Sequence, residues 1–311
     1  MSKSMKFLNI TALIALILVM IIISQTGGNV FPSWNDVLES AGVAREAEKS
    51  TELDDGITAY YFDVGQGDSA LYVCDGHAML VDSGEKEYSG EVTNKIESLG
   101  ITTLDYVVMT HAHSDHIGGM PTILKKFKIG HVVMGKPSTQ AGTSSSYLST
   151  LTVVTSIGAD VIKAEPGTSF SLGRANVEIL APFNTDEDDE NNNSIVLYIT
   201  FGKMSYLAMG DAEKKEEKDI EDNYPELSAS VIKIGHHGSS TSSSGTFINY
   251  VSPSTAVISV GANNQYSHPS KETLDTLDKY GVHYYRTDEC GEIIIRSDGS
   301  SYTIATQKNG G

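Results

Sequence analysis

Thr110-His111-Ala112-His113-Ser114-Asp115-His116-Ile117-Gly118-Gly119 constrains this chain more than any other stretch. It follows the apolar run Leu104–Met109, which reads as a buried strand, and leads into a helix expected over Ile117–Phe127. The cluster therefore sits on a loop at the end of a strand. Three imidazoles and one carboxylate within six residues cannot all serve a hydrophobic core. Their common physical use is to bind a borderline divalent metal, with nitrogen and oxygen donors converging from one turn.

Further donors stand where other strands end. Val81-Asp82-Ser83-Gly84 closes one strand with an acid, Met209-Gly210-Asp211 a second, and Gly235-His236-His237-Gly238-Ser239 a third. Singly, an Asp before Gly is turn chemistry. Together they form a convergent set, because strand ends on one edge of a sheet are neighbours in space. After Gly56 the chain alternates strand-like and helix-like segments. Strands are expected at Ile57–Phe62, Ala70–Val73, Ala78–Val81, Tyr106–Met109, His131–Met134, Val161–Lys163, Val177–Leu180 and Ser230–Ile234, with a hairpin Ile195–Phe201/Ser205–Met209 turned at Gly202-Lys203. Helices are expected over Glu91–Leu99, Tyr147–Ile157 and Ala212–Asp222. The pattern predicts a layered α/β domain with mixed sheets rather than a doubly wound parallel one. The runs 139–146, 185–193 and 239–244 read as polar loops.

On these motifs the chain resembles the metallo-β-lactamase fold, whose successive motifs are a strand-end Asp, H-x-H-x-D-H, a His, an Asp and a His. More narrowly it resembles the hydrolase domain of ComEC-type competence proteins, through Phe62-Asp63-Val64-Gly65-Gln66-Gly67-Asp68-Ser69, the HHGS of His236–Ser239, and Asn264-Gln265-Tyr266-Ser267-His268-Pro269. The resemblance runs from Ile57 to Ile304 and implies a four-layer αββα sandwich with two metals at one edge. His111 and His113 would hold one ion, and Asp115 and His116 the other. Asp211 would bridge them, and one of His236 and His237 would complete the second site, His236 being preferred as nearer the strand. Asp82 would stand behind the ligands, orienting one of them or the metal-bound water. The chain departs from the general pattern before Ser194, where Asp188–Asn193 contains no His. That leaves the first metal short of a protein ligand, and an oxygen-richer site makes Mn²⁺ plausible beside Zn²⁺.

Two divalent ions about 3.5–4 Å apart can share a hydroxide and clamp both oxygens of an in-line displacement. The expected activity is hydrolysis of a phosphodiester such as extracellular DNA, with Asp115, Asp82 and His268 as catalytic candidates. His268 would act as general acid or phosphate clamp. Gly238, Ser239 and Ser240 would offer N–H and O–H donors to phosphate, and Gln66 and Asp68 would line the pocket. His77, His131 and His283 lie inside strand patterns and read as structural. The rival expectations are a phosphorylcholine esterase or another small-ester or lactam hydrolase, and a non-catalytic metal-bearing binding module of the cell envelope.

Residues 1–26 read as a signal peptide or membrane anchor: Lys3 and Lys6 precede the nearly uncharged apolar run Phe7–Ile23. The body is then extracytoplasmic, anchored or secreted. Residues 27–56 read as a linker with a peripheral helix, and 57–311 as the hydrolase domain. The formal net charge of −18, from 22 Lys+Arg against 40 Asp+Glu, excludes a broad basic face for duplex DNA. Any phosphate contact should be made by the metals and their loops. No stable protein partner is expected.

Overall fold

A computed structural model describes residues 55–308. The expected signal or anchor segment, 1–26, and nearly all of the linker lie outside the described residues. Among those described, no helix is long and apolar enough to cross a membrane.

Among the described residues, fifteen strands form two mixed sheets. In the first, β1 (Ile57–Tyr61), β2 (Ala70–Cys74) and β3 (His77–Val81) run antiparallel to one another. β4 (Thr103–Met109), β5 (Lys128–Met134) and β6 (Asp160–Lys163) then add in parallel on β3. β14 (Ile293–Ser297) returns to pair antiparallel with β1 in the register Ile57↔Ser297, and β15 (Tyr302–Thr306) pairs outside it. The second sheet has the order β13-β12-β11-β10-β9-β8-β7. It comprises β7 (Ser169–Leu172), β8 (Ala175–Ala181), β9 (Val196–Phe201), β10 (Met204–Ala208), β11 (Val231–Lys233), β12 (Thr255–Ile258) and β13 (His283–Arg286). Here β10 to β13 are parallel neighbours.

The two sheets share one apolar layer. Tyr61, Tyr72, Met79 and Val108 of the first meet Ile179, Leu197, Tyr206 and Val257 of the second. Tyr72 lies edge-on to both Tyr61 and Tyr206, at 6.2 and 6.1 Å between centroids. Helices cover each outer face. On the first, α1 (Ser89–Ser98), α3 (Met120–Lys126) and α4 (Ser145–Ile157) bury Val92, Ile96, Ile123, Leu124, Val153 and Val154. On the second, α5 (Lys214–Asn223), α6 (Gly245–Val251) and α7 (Lys271–Lys279) bury Ile220, Phe247, Ile248 and Leu277. Because both sheet faces are covered, the central strands read as near-continuous apolar runs rather than as alternation. Local chemistry sets the helix ends: Ser144, Ser244 and Ser270 accept from the N–H groups of Tyr147, Phe247 and Thr273.

Three expectations need correction. The helix expected over Ile117–Phe127 is two pieces, α2 (Ser114–Ile117) and α3. It breaks at Gly118-Gly119, where a Cβ would lie 2.4 Å from Ser114 O and 2.8 Å from Ser83 O, and Pro121 starts the second piece. β7 was not expected, since Ser-Phe-Ser-Leu is a short, half-exposed edge. The run 185–193 is not a solvated loop: Glu190, Asn192 and Asn193 are buried. Glu190 accepts from Ala112 N at 3.0 Å and Ser138 N at 2.7 Å, tying this segment to the His-rich loop. Cys74 and Cys290 are both buried free thiols.

Glu216 on α5 is buried and accepts from Phe183 N at 3.2 Å. Burial raises its pKa from 4.5 to about 7. The folded state therefore holds this proton more tightly than the unfolded chain, and stability falls as pH rises from 4.5 through 7. Glu216→Gln should be more stable than the unaltered protein by about 3 kcal/mol at pH 8, with no difference near pH 4. Urea titrations at the two pH values measure this; a gap that does not narrow on acidification refutes it.

Candidate metal centre

Parallel strands put their carboxyl ends on one edge, and here both sheets do so on the same side. Asp82 follows β3; Thr110 to His113 follow β4, with Asp115 and His116 in α2. From the second sheet Asp211 follows β10, His236 and His237 sit in a turn after β11, and His268 lies between β12 and α7. Asp115, His116, Asp211 and His237 each offer a ligand atom within 4.8 Å of the others. His237 Nε2 lies 3.3 Å from Asp115 Oδ2 and 3.5 Å from Asp211 Oδ2, while His116 Nε2 lies 3.2 Å from Asp211 Oδ1.

The partners behind these rings decide which nitrogen faces the cluster. His237 Nδ1 is 3.0 Å from Ser259 O, a carbonyl that can only accept, so Nδ1 carries hydrogen and Nε2 is turned inward. His116 Nδ1 is 2.7 Å from Asp82 Oδ2, which fixes that ring the same way. Asp82 also accepts from Thr110 N at 2.9 Å and Thr110 Oγ1 at 2.6 Å. Asp82 thus stands on the Nδ1 side of His116, away from the four-donor group. Asp68, Asp82 and His116 form a second close group. Its oxygens are largely engaged already, by Thr110 and His116 on Asp82 and by Lys233 on Asp68.

His111 and His113 lie beside the cluster. His111 Nε2 is 2.9 Å from His113 Nδ1 and 3.9 Å from Asp211 Oδ2, so Asp211 faces both groups of histidines. Ser194 Oγ joins them, accepting from Asp211 N at 2.9 Å and lying 3.3 Å from His111 Nδ1. His236, preferred over its neighbour on sequence, is outside the four-donor group. Its Nδ1 meets Glu213 Oε1 at 3.0 Å, and its Nε2 is 3.9 Å from Asp211 Oδ2. Proximity to the strand did not choose the inward ring; the turn did. His236 and His237 both have positive φ, 47° and 52°, followed by Gly238 at 82°, which turns consecutive side chains in different directions.

The donors fit a divalent cation. His116 Nε2, His237 Nε2 and Asp211 Oδ1 are buried and lack any hydrogen-bond partner, which is costly for polar atoms unless a cation joins them. Electrostatics agree. Burial alone would lower the pKa of His237, but the Asp211, Asp115 and Asp68 carboxylates push it up to about 10. His116 is raised against its own burial by Asp211 and Asp82. Burial and the nearby His116 instead hold His111 well below the ordinary histidine value.

A cavity of about 320 Å³ opens over the cluster, lined by Gln66, Asp115, Asn191, Asp211, His237 and His268 among others. The remaining sequence candidates divide. Gln66 is on the wall, and its Oε1 accepts from Gly261 N at 3.1 Å. Asp68, expected on the wall, is buried behind His237, 3.5 Å from Nδ1. Gly238, Ser239 and Ser240 are not among the lining residues. A Cβ on Gly238 would lie 2.6 Å from Pro269 Cβ, and Ser239 Oγ is spent on Thr241 Oγ1 at 3.0 Å. Gly67 carries the Gln66 loop against the cluster: a Cβ there would lie 2.4 Å from Asp115 O. His77 and His131 pair with Asp105 and Asp160, each at 3.0 Å, away from the centre. Sequence reasoning missed Lys233, Glu213 and Ser194. Lys233 had a signal, a cation in the otherwise apolar run Val231–Ile234; the other two had none.

The family model for the metallo-beta-lactamase superfamily matches residues 62–262. The chain belongs to the metallo-beta-lactamase superfamily. ComE operon protein 3 of Bacillus subtilis is 32% identical over 253 residues, 75% of this chain and 32% of that protein. Competence protein ComA of Neisseria gonorrhoeae is 30% identical over 262 residues, 84% of this chain and 35% of that protein. Recombination protein 2 of Haemophilus influenzae is 29% identical over 238 residues, 75% of this chain and 28% of that protein. The chain thus spans about a third of the length of these relatives, which bear out the ComEC-type resemblance. Among solved structures, the diiron β-hydroxylase CmlA of Streptomyces venezuelae shares the fold, with a TM-score of 0.53 at 16% identity over 78% of this chain and 54% of that one.

His237→Ala should weaken Zn²⁺ binding more than tenfold, whereas His236→Ala should change it less. Titration calorimetry on the two variants decides between the adjacent rings, and equal losses would refute the difference.

Proposed function

We propose that the chain is a metal-dependent hydrolase of phosphodiesters, and that its substrate is DNA outside the cytoplasm. The observation that carries the chemistry is the convergence of Asp115, His116, Asp211 and His237, with three orphaned donor atoms, on the floor of an open cavity. These four residues would hold one ion, and His111 and His113 with Asp211 a second, as Zn²⁺ or Mn²⁺. When bound, such ions supply Lewis acidity and lower the pKa of water. DNA is favoured because relatives are named as competence and recombination proteins. Export rests on the basic and apolar pattern of residues 1–26.

The chain's own groups have separate tasks. Asp82 and Ser259 hold the ligand rings in one tautomer. His268 is half-buried at the cavity wall, and burial, with His236 and His237 nearby, lowers its pKa to about 4. An uncharged imidazole at neutral pH binds phosphate through its ring N–H and accepts protons, which favours the clamp over the general acid. A phosphorylcholine ester is the second reading. Tyr266 is exposed at the cavity rim and stacks on His268 at 5.7 Å, and its face suits either a nucleobase or a quaternary ammonium group.

Metal-loaded protein should cleave bis(p-nitrophenyl) phosphate and DNA, and Asp211→Ala should lose metal and activity together. Hydrolysis confined to p-nitrophenyl phosphorylcholine or to nitrocefin would replace the substrate assignment. Bound metal with no turnover on any of these would favour a binding module of the cell envelope. His268→Ala should retain its metal content and lower kcat on DNA about 100-fold, a change within the range for a lost hydrogen-bond donor to a reacting oxygen. An unchanged kcat removes His268 from the chemistry.

A further inference from the structure

The pair Lys233–Asp68 has no task in the chemistry above. Lys233 ends β11, and its side chain is 5% exposed. Its Nζ pairs with Asp68 Oδ2 and donates to Gly210 O at 3.2 Å. The void beside them, lined also by Asp82, Thr110 and Ser259, is about 10 Å³, at the lower limit for a single water. The pair is therefore essentially dry. Removing two charges from water costs about as much as their attraction returns, and apolar side chains of similar volume often serve stability as well. Stability is a weak reason for the pair to exist.

Its position offers a better one. Asp68 lies on the loop joining β1 and β2, donates its N–H to Asp115 O at 3.1 Å, and accepts from Gly84 N at 2.7 Å. It is thus fastened to the loops that carry Asp115 and Asp82. Its Oδ1 has no hydrogen-bond partner and lies 3.5 Å from His237 Nδ1. Lys233 belongs to the other sheet. Its strand runs into the turn that carries His237, and its ammonium group holds the carbonyl of Gly210, the residue before Asp211. Asp115 and His116 come from the first sheet, and Asp211 and His237 from the second. The ion pair crosses from one sheet to the other directly beneath them.

We propose that Lys233 and Asp68 are positioning residues that lock the two halves of the metal-binding set at their working separation. This rests on the metal-centre reading, and the test separates the two. The single variant Lys233→Met leaves a buried carboxylate unpaired and serves only as a control for folding. The double variant Lys233→Met/Asp68→Asn removes both charges. It should fold, with a Tm within about 5 °C of the unaltered protein, a shift expected of a small stability change. It should nevertheless bind Zn²⁺ or Mn²⁺ at least tenfold more weakly by titration calorimetry, the loss typical when a group that orients ligands is removed.

Asp68→Asn alone keeps the side-chain shape and an acceptor for Lys233, and should lose affinity in the same direction. A folded double variant with unchanged affinity overturns the positioning role while leaving the metal centre intact. Failure of both the double variant and Asp68→Asn to fold would make the pair structural and overturns it as well. If the unaltered protein binds neither ion, the metal-centre reading and this inference fall together.

Discussion

Everything at the edge of this sandwich depends on placing like charges close together without water. Asp68, Asp82 and Asp211 are buried and Asp115 is partly buried, and they stand around the rings of His111, His116 and His237. Carboxylates at such separations repel strongly in a low-dielectric interior, so each needs a cation or a set of hydrogen bonds. Asp82 has Thr110 and His116, and Asp68 has Lys233. Asp115 and Asp211 have only imidazoles, and Asp211 Oδ1 has no hydrogen-bond partner. Each supporting acid has a protein cation or hydrogen-bond donors on at least one oxygen, while the inner ones are left for something else.

That division explains the fold's contribution. Two mixed sheets, each with a run of parallel strands at one end of its strand order, direct their strand ends to one side, and the tyrosine-rich layer between them sets how closely those ends approach. The turns that carry donors adopt conformations L-residues rarely take: φ is positive at Asp82, His236 and His237. Such strain persists only where the surroundings over-determine it. Here the surroundings include the Asp82 network, Ser259 O behind His237 and the close packing of Gly238 on Pro269. Similar rigidity appears across the sheets, where Glu190 anchors the His-rich loop and Gly67 lets the Gln66 loop reach Asp115.

Much of the fold was legible in the chain because its signals are local. Short β-branched runs, serine caps and glycine stops are read one segment at a time, and strand boundaries fall within a few residues of expectation. The misses share a cause: they depend on contacts far apart in sequence. Nothing local tells that Gly118-Gly119 must pass against Ser83, or that an acidic, asparagine-rich run packs inside with Glu190 on Ala112 N. The centre follows the same rule. The residue types and their positions at strand ends are written in the motifs, whereas the wall of the cavity is assembled from loops that never adjoin in the chain.

The sequence by itself determined that a cluster of imidazoles and carboxylates would stand at strand ends in a layered α/β domain, since spacing and apolar periodicity are one-dimensional properties. Only the tertiary structure decided which ring of His236 and His237 turns inward, because two successive left-handed residues send neighbouring side chains apart. It also moved Asp68 from the cavity wall to a buried pair with Lys233. Such a choice depends on the meeting of two sheets, and no window of sequence contains both.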